Sequence, residues 1–269
     1  MLKEYFLKNY LESKKTILLS FLLFLLVITN CFSQEKNALK LYNKGLEYKT
    51  TNPDSSVVLF NKSYHLYLKE NDTLNAIQAL FQKAFVFETT AKYAKSYDAL
   101  WKAMLLLDNI ENQGIKSVIY HRLGRIYSYY KREDESIEFL MKSLETQKGI
   151  LKANNKTDKA ELTSYYYSIA STYRELGKPD LGKKYLDSSY IFYNKKGSLT
   201  PKPYLDFEQA IYLSKKEKGV EAVKIMEDIY PWFLKNTPSY MVLFYKYWGD
   251  IYLGLDKIDK SEEYYLKSL

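Results

Sequence analysis

The chain has 269 residues, and 40 lysines and arginines against 32 aspartates and glutamates give it a formal net charge of +8. The lysines are spread beside glutamates, which is typical of a solvated helical surface and argues against a nucleic-acid-binding stripe. One cysteine excludes an intramolecular disulfide, and two distant histidines, His65 and His121, leave metal and nucleophilic catalysis without the side chains they need. We therefore predict a protein without enzymatic activity or cofactor.

Residues 1–33 have the order of a secretory signal peptide. Two lysines precede an apolar run from Ile17 to Ile28, and a polar stretch follows it. The run is too short to cross a bilayer comfortably, where roughly 20 apolar residues are expected. We predict export to the periplasm or cell envelope with cleavage near Ser33-Gln34. Lipidation at Cys31 and an uncleaved membrane anchor are the alternatives, and the membrane is a partner only in those two cases.

The clearest helical pattern lies in the stretch 120–143. Gly124 is followed by Ser136 after 12 positions, by Leu140 after 16 and by Ser143 after 19. Small residues at this spacing let two antiparallel helices approach closely, and larger side chains fill the space beside them. The pattern resembles one tetratricopeptide (TPR) helix–turn–helix repeat.

The same spacing recurs along the chain. It is found in the sets Ala84, Ser96, Leu100, Ala103; Ala170, Gly182, Leu186, Ser189; and Gly249, Ser261, Tyr265, Ser268. A weaker repeat at Gly45, Ser56, Phe60 and Ser63 is one residue short, and a degraded one keeps only Ala210, Ala222 and Met226. The resemblance implies an all-α, right-handed solenoid over residues 34–269, with six helix pairs at about 36–70, 73–108, 114–152, 158–195, 201–235 and 238–269.

The repeats are longer than usual. The small residues Ala84 and Gly124 are 40 positions apart, and Gly124 and Ala170 are 46 apart, whereas TPR repeats usually have about 34 residues. We therefore expect long second helices and long connections between repeats. Three glycines, Gly177, Gly219 and Gly254, are expected in the turns inside repeats.

The resemblance also implies a site. TPR arrays line an inner groove with the first helix of each repeat, so the corresponding positions predict an aromatic floor with two arginines. The principal predicted groove residues are Tyr42, Phe81, Phe85, His121, Arg125, Tyr167 and Arg174. Further wall positions are Leu46, Lys49, Glu88, Ser128, Ser171, Lys246 and Asp250. Ordinary packing between repeats is the alternative explanation for each of these residues.

Two functions are compatible with this pattern. The first is a protein-interaction scaffold or ligand-sensing domain that binds a peptide or protein in the groove, as the N-terminal part of a longer signalling regulator. The second is a free-standing periplasmic or lipid-anchored assembly scaffold. The last helix lacks the polar capping helix that solenoids normally carry, so we also expect a continuation of the chain, a covering partner or oligomerisation there.

Overall fold

The structure of the protein, a computed structural model, describes residues 37–107, 110 and 112–269. The predicted signal peptide, with Cys31 and the cleavage position, lies outside the described residues. Two compact units divide the chain, Met1–Glu111 and Asn112–Leu269, and each is described by itself. None of the helices within the described ranges is long and apolar enough to span a membrane.

The described residues form twelve α-helices and one short 3-10 helix, without a β-strand. In the first unit these are α1 (from 37 to 47), α2 (Pro53–Lys69), α3 (Thr73–Thr89) and α4 (Tyr93–Leu107). In the second unit they are α5 (Gln113–Tyr129), α6 (Glu133–Ala153), α7 (Leu162–Glu175), α8 (Pro179–Phe192), α9 (Lys202–Ser214), α10 (Gly219–Asn236), α11 (Met241–Leu253) and α12 (Ile258–Lys267). The 3-10 helix, Pro238–Tyr240, precedes α11. The all-α fold of paired helices is confirmed.

Local sequence explains several helix starts. Asn52, Asp72 and Asn112 are N-caps whose side-chain oxygens each accept a hydrogen bond at 3.1 Å from a backbone amide three residues later. Such caps satisfy one of the free amides of the first turn. Pro53 and Pro179 stand at the first positions of α2 and α8, where a missing amide costs nothing.

The two helices of each repeat approach closely at the small residues. A Cβ atom added to Gly124 of α5 would lie 2.6 Å from Leu140 Cγ of α6, and one added to Gly249 of α11 would lie 2.7 Å from Tyr265 Cδ1 of α12. Real Cβ atoms do not tolerate such distances. The small residues are therefore required by the packing, as the repeat pattern predicted.

The serines of the repeat pattern also form hydrogen bonds, which the small size of their side chains did not predict. Near the start of a second helix, a serine hydroxyl donates to the backbone carbonyl of the small residue in the first helix. This occurs from Ser56 to Gly45 at 2.7 Å, from Ser136 to Gly124 at 2.8 Å and from Ser261 to Gly249 at 3.0 Å. Seven residues further on, a second serine donates to a carbonyl near the start of the first helix. This occurs from Ser63 to Ala38 at 2.9 Å, from Ser143 to Ser117 at 2.7 Å and from Ser189 to Thr163 at 3.0 Å.

The first helices of the second unit lie side by side, with α5 against α7, α7 against α9, and α9 against α11. Behind them, the core between α9, α10 and α11 is aromatic: Phe207, Phe233 and Phe244 are completely buried, and Trp248 is 4% exposed. The repeat that is degraded in sequence is thus fully packed, and α10 continues through Pro231. Ala210 and Ala222 stay buried there, and aromatic side chains fill the core beside them.

Candidate functional site

Hydrogen bonds connect the first helices of the second unit. Ser128 Oγ of α5 donates to Glu175 Oε2 at the end of α7, at 2.8 Å. His121 Nε2 of α5 lies 2.7 Å from Ser168 Oγ of α7. The predicted wall positions Ser128 and His121 therefore contribute to packing between repeats in the described structure.

Arg174 connects three first helices. From α7, its Nε donates to Glu208 Oε2 at 2.6 Å and its Nη2 to Glu208 Oε1 at 3.1 Å, both on α9. Its Nη1 donates to the Tyr247 hydroxyl on α11, and its guanidinium lies 5.0 Å from the centre of the Tyr247 ring. The Arg174 side chain is 11% exposed and that of Glu208 3% exposed. The pair is therefore a buried, bidentate ion pair.

Electrostatics couple the two charges. Burial raises the pKa of the Glu208 carboxyl, and the guanidinium of Arg174 counteracts this shift. Burial acts to lower the pKa of Arg174, but the neighbouring Glu208 outweighs it and the pKa is raised, so Arg174 stays charged. The negative charge on Glu208 thus depends on Arg174.

Two tyrosines beside this pair are held neutral. Burial raises the pKa of Tyr167 well above its ordinary value, and the neighbouring Tyr240 and Glu208 raise it further. The pKa of Tyr240 is raised by burial and by Glu208 as well. The Tyr167 ring lies edge-on to Tyr204, with centroids 6.0 Å apart. The predicted groove residue Tyr167 is therefore half-buried against α9.

His121 is the other strongly shifted group. Burial, followed by the positive charges of Arg125 and Arg122, lowers its pKa to about 3. Arg125 itself is exposed and donates to the Tyr129 hydroxyl at 3.0 Å. Its charge also opposes, without reversing, the rise in the pKa of Tyr167 that burial causes. Of the four groove residues predicted in this unit, only Arg125 is exposed to solvent.

A cavity of about 460 Å³ opens beside the Arg174–Glu208 pair. We call it the α7–α9–α11 pocket. Its polar lining is formed by Arg174, Glu175, Lys183, Glu208, Tyr212, Lys215, Lys246, Tyr247 and Asp250, with Leu186 and Ile211 among the apolar residues. Three predicted wall positions, Arg174, Lys246 and Asp250, are thus brought together in one concave site.

The pocket is partly organised by its own ion pairs. Lys246 Nζ lies 3.3 Å from Asp250 Oδ2 and 4.6 Å from the centre of the Tyr247 ring. Lys183 pairs with Asp187 and lies 5.5 Å from the centre of the Tyr212 ring. Lys215, at the end of α9, is exposed. Two of the lysines therefore stand over aromatic faces at the rim, above a buried charged floor.

The remaining predicted groove residues lie in the first unit. Tyr42 is half-buried, its ring edge-on to Phe60 at 5.6 Å, and burial raises its pKa although a hydrogen bond to Gln82 lowers it. Phe85 is half-buried beneath Lys49 Nζ, which lies 4.2 Å from the ring centre, and Phe81 is half-buried on the same helix. The assignment of these residues to a partner stays a prediction.

Sequence reasoning missed Glu208, Tyr247, Lys183, Tyr212 and Lys215. Glu208 lies in the degraded repeat, two residues before Ala210, where no wall position was assigned. Its position between the apolar residues Phe207 and Ala210-Ile211 was the available signal, because an acidic residue is seldom fully buried without a charged partner. Within the described ranges, no group of three or more histidines, cysteines, aspartates or glutamates could hold a metal ion.

Comparison with known proteins agrees with this architecture. The sequence model of the tetratricopeptide repeat family matches residues 118–149 and 163–189, which cover most of α5 with α6 and of α7 with α8. No curated protein matches the sequence. The protein therefore has a TPR-like helical-repeat fold.

Several solved structures share the fold. Aspartyl phosphate phosphatase F from Bacillus subtilis is similar with a TM-score of 0.67 and 16% identity over 87% of this chain and 59% of its own. The Rap conjugation gene regulator of plasmid pLS20, solved in complex with the Phr* peptide, has a TM-score of 0.64 and 14% identity over 87% and 61%. The apo form of the quorum sensor NprR from B. thuringiensis has a TM-score of 0.63 and 14% identity over 86% and 64%. The chain thus spans about three fifths of the length of these proteins.

Proposed function

We propose that the protein is a non-catalytic interaction scaffold or ligand-sensing domain whose second unit binds a segment of a peptide or protein in the α7–α9–α11 pocket. The observation that carries this proposal is the pocket itself. It is concave, about 460 Å³ in volume, and its floor contains the buried Arg174–Glu208 pair. Concave sites with a few convergent polar groups are the usual place for ligands.

The lining suits a polypeptide better than a uniformly charged ligand. Cationic groups at Lys183, Lys215 and Lys246 alternate with the carboxylates of Glu175 and Asp250. Peptides present donors, acceptors and side chains of both signs, so this mixture matches them. Tyrosine and arginine side chains are also over-represented among the residues that dominate protein–protein binding energy.

The solved structures of the same fold support a peptide ligand. One similar regulator was solved in complex with a peptide, and another is a quorum sensor. A third is named a phosphatase, but at 16% identity the similarity concerns the fold alone and carries no activity to this chain. The other two likewise add support only through the shared fold, and the pocket remains the ground on which we propose a regulator that responds to a bound peptide.

A library experiment tests the site with peptides of random sequence. The peptides are selected on the immobilised protein, and the dissociation constants of those retained are measured by calorimetry. In the variant Lys215→Glu with Lys246→Glu, both changed residues are exposed at the pocket rim. We expect it to weaken the selected peptides by roughly 5–100-fold, the effect of losing important interface contacts.

The matched control is Lys224→Glu with Lys235→Glu, which makes the same charge change on exposed positions of α10 outside the pocket lining. The control should bind the peptides as the unchanged protein does. Arg125→Ala then reports whether the peptide extends along α5. Equal binding by the rim variant and the control, or the absence of any selected peptide, would contradict the proposal.

A further inference from the structure

A second cavity of about 510 Å³ lies at the other side of the third and fourth repeats. We call it the lysine pocket. Its lining residues come from the end of α6, the following loop, the start of α7 and the end of α8: Lys148, Leu151, Lys152, Asn155, Lys156, Lys159, Leu162 and Phe192. Four of these eight residues are lysines, and none is acidic.

The pocket exists because α6 is long. With 21 residues, α6 is the longest helix in the described part of the chain, and a connection from 154 to 161 follows it. Asn155 has a φ of 49°, in the left-handed region that ends a helix. The Asn155 amide donates to the Lys152 carbonyl at 3.1 Å and the Lys156 amide to the Leu151 carbonyl at 3.0 Å. This is the Schellman arrangement of a helix end.

This helix end lacks its usual apolar partner. In a Schellman motif, the residue two positions after the C-cap is commonly apolar and packs on the residue three positions before the C-cap, which is Leu151 in α6. Here Lys156 occupies that position. Because the last carbonyls of α6 already accept backbone hydrogen bonds, the lysines are not needed to cap the helix.

The floor of the pocket is apolar and ordered by the core. Leu151 and Leu162 are each 2% exposed and belong to one buried cluster, against which Phe192 packs. The Phe192 ring is stacked on Tyr166 at 5.4 Å with an interplanar angle of 9°. The apolar floor of the site is thus preformed by core packing.

The lysines at the rim outnumber the carboxylates that lie close enough to pair with them. Lys148 pairs with Glu145 at 2.8 Å and Lys156 with Glu161 at 2.9 Å. The other oxygen of Glu161 accepts a hydrogen bond from Gln147 Nε2 at 2.6 Å, so both carboxylate oxygens already have a partner. Lys152 and Lys159 are exposed, and neither forms an ion pair with another residue of the described ranges.

We propose that the lysine pocket binds a small amphipathic anion, an apolar ring or chain that carries a carboxylate, phosphate or sulfonate group. The apolar part fills the space beside Leu151, Leu162 and Phe192, and the anion lies between Lys152 and Lys159. A volume of about 510 Å³ falls within the range of small-molecule sites. This site is separate from the α7–α9–α11 pocket, and the inference does not rest on peptide binding there.

A pair of fluorescent dyes tests both halves of the inference. 8-Anilinonaphthalene-1-sulfonate and N-phenyl-1-naphthylamine share the same aromatic skeleton, and only the first carries an anion. We expect the sulfonate to bind at least several-fold more tightly, with a fluorescence increase and an affinity that falls as salt screens the lysines. The neutral dye should show little dependence on salt.

Charge removal locates the anion. The variant Lys152→Gln with Lys159→Gln should weaken binding of the sulfonate by roughly 3–30-fold and leave the neutral dye unchanged. Lys224→Gln with Lys235→Gln removes the same charge on exposed positions of α10 and should change neither. Equal affinity for the two dyes, or equal sulfonate binding by the pocket variant and the control, would overturn the inference. Because both variants change exposed side chains only, loss of folding does not explain a selective effect.

Discussion

Arg174 and Glu208 form a bidentate ion pair between α7 and α9, with Nε and Nη2 of the arginine 2.6 and 3.1 Å from the two carboxylate oxygens. The repeat pattern placed Arg174 on the groove wall as a contact for a peptide or protein partner. In the structure its charge is already matched inside the chain. The pair therefore fixes the spacing of two neighbouring first helices and forms the floor of the α7–α9–α11 pocket.

Removing one member of this pair should destabilise the second unit strongly. Glu208→Ala leaves the buried guanidinium of Arg174 without its carboxylate. We expect a decrease of about 3–5 kcal/mol in the free energy of unfolding, the usual cost of an uncompensated buried charge. Urea unfolding followed by circular dichroism measures the difference.

Replacing both charges separates the cost of a broken pair from the value of an intact one. The double variant Arg174→Met with Glu208→Leu has no buried charge, so its stability should recover most of the loss. A double variant as unstable as Glu208→Ala would show that the pair itself supplies the stability. Glu175→Gln, at the partly exposed neighbour of Arg174, should cost less than about 1 kcal/mol.

His121 should make the protein sensitive to mild acid. Its pKa is lowered to about 3 in the folded chain, by burial and by Arg125 and Arg122, while the unfolded chain binds the proton near a pH of about 6.5. Because the folded value is the lower one, the stability from the neutral imidazole is complete above about pH 6.5 and is lost as the pH falls. Between pH 7 and pH 5 the loss from this one group should be about 1–2 kcal/mol.

Replacement of the imidazole tests the assignment. In His121→Gln, a side chain that can still bond Ser168 no longer titrates, so the decrease in unfolding free energy from pH 7 to pH 5 should shrink by about 1–2 kcal/mol. His65→Gln removes the other histidine, which is exposed on α2, and should leave the pH dependence unchanged. Identical pH profiles for the His121 variant and the unchanged protein would refute the lowered pKa of His121.

The N-terminal sequence gives a prediction about location. We propose that the protein is exported and that residues 1–33 are removed, because two lysines, an apolar run and the Ser33-Gln34 junction follow one another in the order of a signal peptide. Mass spectrometry of the protein expressed in its natural host should find an N-terminus at Gln34, or a lipidated Cys31. Intact Met1 on protein from the soluble cytoplasmic fraction would contradict export.

Helix pairing was predictable because its signals are local. The spacing of Gly124, Ser136 and Leu140 specifies where two helices of one repeat touch, and the structure has those contacts. The hydrogen bonds of the serines were not predictable from the small size of the side chains in the pattern. Ala103 and Ala222 occupy equivalent positions without a hydroxyl, so the pattern alone does not distinguish packing from hydrogen bonding.

The turns and the pocket depended on information that the pattern lacks. Of the three glycines expected in turns, only Gly177 has a positive φ, while Lys131, Glu217 and Asp256 adopt the left-handed conformation in the corresponding turns. The amides of Lys131 and Asp256 donate to the carbonyls of Ser128 and Leu253, and Lys218, next to Glu217, donates to the Leu213 carbonyl. The partner of Arg174 was missed for a similar reason, since Glu208 is 34 residues away in the sequence and only the packing of α7 on α9 brings the two together.

Two glycines of the third repeat offer a matched test of the packing argument. Gly124 of α5 faces α6, and an added Cβ would lie 2.6 Å from Leu140 Cγ and 3.0 Å from the Leu140 backbone nitrogen. Gly149 of α6 is exposed, and an added Cβ would meet nothing within 4 Å. The same substitution should therefore have opposite effects at these two helical positions.

Gly124→Ala should lower the free energy of unfolding by about 1–3 kcal/mol, because the methyl group pushes against a backbone atom that side-chain rotation cannot move. It should also disturb the hydrogen bond from Ser136 Oγ to the Gly124 carbonyl, now 2.8 Å long. Gly149→Ala should raise the free energy of unfolding by about 0.5–1 kcal/mol, because alanine restricts the unfolded chain and favours the helix. Urea unfolding of both variants measures the two signs, and hydrogen exchange should show faster opening of α5 and α6 only in Gly124→Ala. A stabilising Gly124→Ala would mean that the two helices do not approach as closely as the small residues indicate.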